Sequence, residues 1–328
     1  MVCPTLSWIQ SWQLIRSNRN TYLHMSDFLS THEHLLQKPI IIFGTGRSGT
    51  TVISDIIFRH EDLAWHNNWQ ELMPKSAAIN YLRRLFDNKF WHIQGMNTQN
   101  NKSLINQVLF RPIERYDFWE SISGPRIDFS RGFLLNERAT EEEKIRMRTH
   151  FAKMVKYQNR KRLAFKLTGP ARMEYLLSIF PDAQFIQIKR EPVSTVRSWM
   201  EIHWSNQMTE QLWWDGAYSD EERKKAKEFA AEPPLFVAFQ YRKLQETTAY
   251  EVNKLHPDMQ NVDYEEFIKD PKTLISKILD YTQLAPSKHI DAFMKRIAVK
   301  DRNNRAAASA KTNIDEATKQ KIIEIVNG

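Results

Sequence analysis

Pro39-Ile-Ile-Ile-Phe-Gly44-Thr-Gly-Arg47-Ser48-Gly49-Thr50-Thr51 is the segment that most limits how this chain can fold. The apolar run Ile40–Phe43 reads as a short buried strand. The glycines after it permit a tight turn, and a helix begins at Thr50. That order leaves backbone N–H groups, from Gly46 to Thr51, free to surround an anion at the positive end of the helix. The spacing Gly44-x4-Gly49 matches the start of G-x-x-x-x-G-K-[ST], the loop pattern that cradles nucleotide phosphates. Here the lysine position holds Thr50, and the cation stands three residues earlier, at Arg47. The group that reaches the β- and γ-phosphates of a triphosphate is therefore missing. The loop suits a phosphate-like group with different chemistry.

A second segment, Ala183-Gln-Phe-Ile-Gln-Ile-Lys189-Arg190-Glu191-Pro192, is another short strand that ends in two cations. A helix reads from Val193 to Met200 and carries Ser198, eight residues after Arg190. Two more segments complete the pattern. One is Phe165-Lys166-Leu-Thr-Gly-Pro, followed by a short helix and Phe180-Pro181-Asp182-Ala183. The other is Val262-Asp-Tyr264-Glu265-Glu-Phe-Ile-Lys-Asp270-Pro271. Together, and in this order, they resemble the PAPS-dependent sulfotransferases (PAPS is 3′-phosphoadenosine 5′-phosphosulfate). The likeness is to the Golgi-type and bacterial branch, with core motifs similar to those of tyrosylprotein sulfotransferases. It covers residues 38–72 and 160–285.

The resemblance implies an α/β fold: a mostly parallel central sheet with helices on both faces, the sulfotransferase form of the P-loop NTPase architecture with helical insertions. It implies PAPS as donor and PAP as product, with no metal. Arg47 is placed at the transferred sulfuryl group, and Ser48, Gly49, Thr50 and Thr51 at the 5′-phosphate. Arg190 and Ser198 take the 3′-phosphate. Lys166 is a second cation for the transition state, or else a salt-bridged lysine of the sheet. Tyr264 either contacts the adenosine or belongs to the core. Arg302 and Arg305, in a basic loop before the last helix, are candidates for closing over the 3′-phosphate. For the general base the chain offers Glu71, which is favoured, and His66.

The charges agree with that chemistry. Sulfuryl transfer leaves negative charge on a departing phosphate, which preorganised cations and N–H donors stabilise. Triphosphate enzymes hold Mg2+ with an Asp near a strand end. The neighbouring strand ends here carry Lys166 and Arg190, and Asp263, the one such candidate, precedes Tyr264-Glu265. A P-loop nucleotide kinase and a catalytically silent PAP-binding protein stand as the alternatives.

A chain of 328 residues with 41% hydrophobic and 26% charged residues suits one α/β domain over 38–328, preceded by a peripheral helical segment over 1–37. The net charge of +8 suits an anionic cofactor, and the basic residues are scattered rather than gathered into a nucleic-acid module. Cys3 is the only cysteine, which excludes an internal disulfide. No run of about 18 apolar residues spans a membrane. The N-terminus lacks the apolar core of a signal peptide. The expected location is cytoplasmic.

Acceptor recognition falls to 76–160 and 200–235, where the resemblance is weak. These insertions hold Trp91, Trp119, Trp204, Trp213, Trp214, Phe86, Phe90 and Phe118. Such aromatics fit stacking on an aromatic, glycan or lipid acceptor that offers a hydroxyl, and equally a plain core. The expected elements there include an amphipathic helix over Ser76–Phe86. A second helix starts at Thr140 with Glu143 as its capping box.

Overall fold

Ile40, Ile41, Ile42 and Phe43 are buried on both sides because the strand they form lies in the middle of a sheet. The computed structural model describes residues 24–88, 90–97, 104–201, 211–297 and 314–328. Arg302, Arg305, Trp204 and Cys3 fall outside the described residues.

In chain order the strands and main helices are β1 (Ile40–Gly44), α1 (Thr50–Ile57), β2 (Leu63–Ala64), α2 (Tyr116–Ser123) and α3 (Glu141–Gln158). Then come β3 (Arg162–Thr168), α4 (Met173–Ile179), β4 (Gln184–Lys189), α5 (Pro192–Met200), α6 (Asp220–Phe229) and α7 (Pro233–Leu255). The last are β5 (Met259–Asp263), α8 (Tyr264–Lys269), α9 (Pro271–Thr282), α10 (Lys288–Arg296) and α11 (Glu316–Asn327). The strand order is β2-β3-β1-β4-β5, and each pairing is parallel.

Alternate residues of β1 face opposite layers, as the period of two requires. Ile40 and Ile42 pack with Ile53, Ile56 and Ile57 of α1 and with Ile275 and Ile278 of α9. Ile41 and Phe43 pack with Met147 and Phe151 of α3 and with Leu176 of α4. Helices thus cover both faces. The chain leaves β1 flanked by β3 on one side and β4 on the other, so the sheet order changes direction there. In doubly wound sheets the crevice at the carboxyl ends of such strands is where ligands bind. Gly44 pairs with Thr168 and Lys189 with Asp263, which fixes those ends side by side.

Strand β2 stops at Ala64, because the Gln158 side chain takes both the N–H and the C=O of Trp65 (3.2 and 2.8 Å). Two expectations change. Ser76–Phe86 is not one α-helix. It is a 3-10 stretch, Ala77–Leu82, followed by a single turn, Arg83–Phe86. Its inward residues Asn80 and Arg83 are polar and fully buried, and they reach Gln158 of α3. Strand β3 runs to Thr168, so Lys166 lies opposite Ile42 instead of at the strand end. The capping box at Thr140 forms as read, and a second one forms at Ser219 with Glu222.

Candidate active site

The loop between β1 and α1 is shaped by two left-handed residues, Arg47 (φ 68°) and Gly49 (φ 95°), the latter capping α1. A Cβ at Gly49 would lie 2.1 Å from the ring of Tyr264, so close approach as well as φ requires glycine there. Ser48 is fully buried, and its Oγ has no hydrogen-bond partner among the described residues. A buried hydroxyl without a partner is costly unless something occupies the space it faces. Thr50 and Thr51 form the first turn of α1.

The second cluster closes on the first. Arg190 follows β4 directly, and its Nη1 donates to the Arg47 carbonyl at 2.7 Å. Ser198 projects from α5, where its Oγ accepts from Arg47 Nε at 2.9 Å. Residues more than 140 positions apart in sequence therefore meet in one group, with Arg190 and Ser198 buried and Arg47 exposed. Glu191 orients α5 by capping it, accepting from the N–H groups of Val193 (2.7 Å) and Ser194 (2.6 Å). Trp199 Nε1 donates to the Gly46 carbonyl. The Tyr264-Glu265 pair also gains a physical role. Tyr264 is buried against Gly49, with Arg190 5.1 Å from its ring centre. Glu265 accepts the N–H of Glu191 at 3.2 Å.

Lys166 extends from β3 to the other side of the loop. Its Nζ donates to Thr51 Oγ1 at 3.1 Å and pairs with Glu114 Oε2 at 3.1 Å. Glu114 was missed in the sequence because it belongs to a stretch with no motif. The only signal available was that a buried lysine needs a carboxylate. Its Oε1 accepts from the Thr168 hydroxyl (2.6 Å), the Thr168 N–H and the Tyr116 hydroxyl (3.0 Å). Burial and the Glu114 charge push the Tyr116 pKa up, so its hydroxyl stays a donor.

The two base candidates differ sharply in surroundings. His66 is buried, stacked on Phe118 at 3.8 Å, and its Nδ1 meets Gln70 Oε1 at 3.2 Å. Burial pushes its pKa down to about 3, so the ring is neutral and weakly basic. Glu71 lies on the 3-10 stretch Asn68–Leu72, more than a third exposed, with Arg115 Nε 3.4 Å away. The aromatics of the insertions also divide. Phe118, Trp119 and Trp214 are core residues, whereas Phe90 and Trp91 are exposed.

The clustered cations, the orphan Ser48 hydroxyl and the glycine turn fit an anionic ligand. Among the described residues no group of three His, Cys, Asp or Glu side chains comes together to hold a metal ion.

Comparison with known proteins gives the same direction. A model described as the sulfotransferase family matches residues 39–287. Sulfotransferase STF9 from Mycobacterium avium superposes with a TM-score of 0.53 at 17% identity, over 92% of this chain and 80% of that one. Sulfotransferase STF1 from Mycobacterium tuberculosis H37Rv gives 0.49 at 15% identity, over 92% and 81%. At such identities the likeness is one of fold. No curated protein matches the chain significantly.

Proposed function

The chain belongs to the sulfotransferase family, and we propose that it moves a sulfuryl group from PAPS to a hydroxyl of a small-molecule, glycan or lipid acceptor. The observation that carries the donor assignment is the meeting of Arg47, Arg190 and Ser198 beside the glycine turn. PAPS, when bound, supplies an activated sulfuryl group and a phosphate as leaving group. Ser48, Gly49, Thr50 and Thr51 would hold its 5′ end through N–H and hydroxyl groups. Arg190 and Ser198 would hold the 3′-phosphate, which a triphosphate nucleotide lacks.

Arg47 and Lys166 concentrate positive charge on opposite sides of the loop, where negative charge develops during transfer. Glu114 acts here as a positioning residue: it keeps the Lys166 ammonium against Thr51 instead of in solvent. The acceptor hydroxyl must give up its proton to a nearby base. Glu71 is the proposed base, since burial leaves His66 only weakly basic and its ring is held by Gln70 and Phe118. A second reading has one supporting observation. Glu114 Oε2 makes a single contact, to Lys166, and could itself accept the proton.

Thermal stabilisation by PAP, set against ADP, AMP and ATP–Mg2+, tests the donor. A ligand at 100 times its Kd adds about 2.7 kcal/mol. A clear shift with PAP and little with ADP is the expected result; a shift with ATP–Mg2+ alone returns the chain to the nucleotide kinases. Turnover of Glu71→Gln and Glu114→Gln separates the two bases. Glu71→Gln should abolish transfer with PAP binding intact. If it turns over normally, Glu71 is not the base, and the base is Glu114 if Glu114→Gln then loses turnover together with the acidic limb of the kcat pH profile, which a positioning role alone would leave in place.

A further inference from the structure

Among the described residues, large apolar side chains exposed to solvent are concentrated between Leu72 and Val108; Tyr250 and Ile323 are the others. Leu104 is 79% exposed, Phe90 76%, Ile105 74% and Leu72 71%. Hydrogen bonds and ring contacts tie several of these stretches to one another. Trp91 Nε1 donates to the Leu85 carbonyl at 2.7 Å, and Ile93 N to the Phe86 carbonyl at 2.8 Å. Trp69 Nε1 donates to the Val108 carbonyl at 2.8 Å. The buried ring of Phe110 packs against both Phe86 (5.8 Å) and Trp69 (5.9 Å), joining the two parts.

An exposed apolar area of this density marks a surface that meets something apolar. Its charge says what. From 72 to 113 the sequence holds one acidic residue, Asp87. That carboxylate is buried, 2.7 Å from Arg83 and 2.6 Å from Arg160. Exposed Lys75 and half-buried Arg84 and Arg111 leave the face cationic, on a chain of net charge +8. At its edge the exposed carboxylate of Glu71 is paired with Arg115 at 3.4 Å. Apolar and aromatic side chains with an excess of cations are the composition of a protein face that lies in the interface of an anionic bilayer. On such a bilayer the Leu and Ile side chains would reach the acyl boundary, the Trp and Phe rings would sit at headgroup depth, and the cations would meet lipid phosphates.

We propose that the Leu72–Val108 face docks on an anionic phospholipid bilayer. The same face runs directly into the acceptor side of the site. Arg111 N donates to Asn68 Oδ1 at 3.0 Å, Ile113 N to the His66 carbonyl at 3.1 Å, and Glu114 then meets Lys166. Docking there brings the acceptor side close to the lipid surface.

Flotation of the full chain with phosphatidylglycerol-containing vesicles, against pure phosphatidylcholine vesicles, tests the proposal without any sulfotransfer assay. Binding to the anionic vesicles that weakens with added salt is expected. Leu104→Ser/Ile105→Ser should lower that partitioning by at least roughly tenfold, from the apolar area lost. Both positions are solvent-exposed, so melting temperature should be unchanged. Lys75→Glu should lower binding at low salt and leave it unchanged at high salt. No flotation of the wild type, or flotation equal in the Leu104→Ser/Ile105→Ser variant, overturns the proposal. So does concentration-dependent dimerisation that the same double variant abolishes, since a second copy would then be the occupant of the face.

Discussion

The proposed phosphate side and the proposed acceptor side of the site are built by different means. On the phosphate side, residues 40–51 and 184–199 are fixed by parallel strand register, helix ends and short bonds to loop carbonyls. On the acceptor side, the described residues between 66 and 115 include brief helical turns, at Asn68–Leu72, Ala77–Leu82, Arg83–Phe86 and Leu104–Val108. Buried side chains hold them: Asn67, Asn80 and Gln158 make an amide chain, and Asp87 gathers Arg83, Arg160 and Gln94. A backbone-built site leaves few residue choices, because register and φ are set by the fold. A side-chain-built region can change its residues as long as its buried polar groups remain paired. The first suits a fixed anion, and the second suits an acceptor that differs between enzymes.

The largest test of this contrast is Asp87→Ala. Burial opposes the charge of Asp87, yet Arg83, His92 and Arg160 hold its carboxyl well below the usual range. Its removal leaves buried arginine charge uncompensated and should cost about 3–5 kcal/mol of stability by denaturant titration. If stability is unchanged, the acceptor side is not held in this way. Arg190→Ala touches the other side. It should weaken PAP binding by about 2–5 kcal/mol in calorimetry, while the acceptor-side amides keep their hydrogen-exchange protection. Equal PAP affinity in the two proteins would remove Arg190 from the donor site.

Acid should loosen the acceptor side first. Burial lowers the pKa of His66 to about 3 and that of His150 to about 4, from 6.5. Both rings are neutral in the folded protein, so their contribution is complete above pH 6.5 and falls as pH drops toward those values. Each should remove about 1.4 kcal/mol per pH unit below 6.5. A His66→Gln/His150→Gln variant should show a flatter stability profile between pH 6.5 and 5, and an unaltered slope would contradict it. The smallest effect is that of Asn67→Ala. It frees the N–H groups of Trp69 and Gln70 that Asn67 Oδ1 accepts at 3.1 and 3.2 Å, costing about 1 kcal/mol. Proteolysis within 66–115 should speed up, with PAP stabilisation kept.

Legibility in the sequence followed the same division. The strands β1, β3 and β4 and the helix after the loop were readable because apolar runs and turn residues report buried parallel strands directly, whereas β5, Met-Gln-Asn-Val-Asp at the sheet edge, carries no such run. Arg47, Arg190 and Ser198 could be paired from spacing and resemblance, and the structure brings them together. Ser76–Phe86 was misread because its apolar periodicity hid the demand of Asn80 and Arg83 for buried partners. Glu114 had no local signal at all, since its partner Lys166 stands 52 residues later.

By itself, then, the sequence determined the alternating strands and helices, the anion-binding turn and the absence of the triphosphate lysine at Thr50. These depend on local backbone preference and side-chain period, which short segments carry. Tertiary structure alone decided three things: that Glu114 holds Lys166, that His66 is sealed against Phe118, and that the apolar side chains from Leu72 to Val108 face outward. Each depends on which distant segments pack together, and burial, pairing and charge at a residue are set by those neighbours rather than by the residues beside it in the chain.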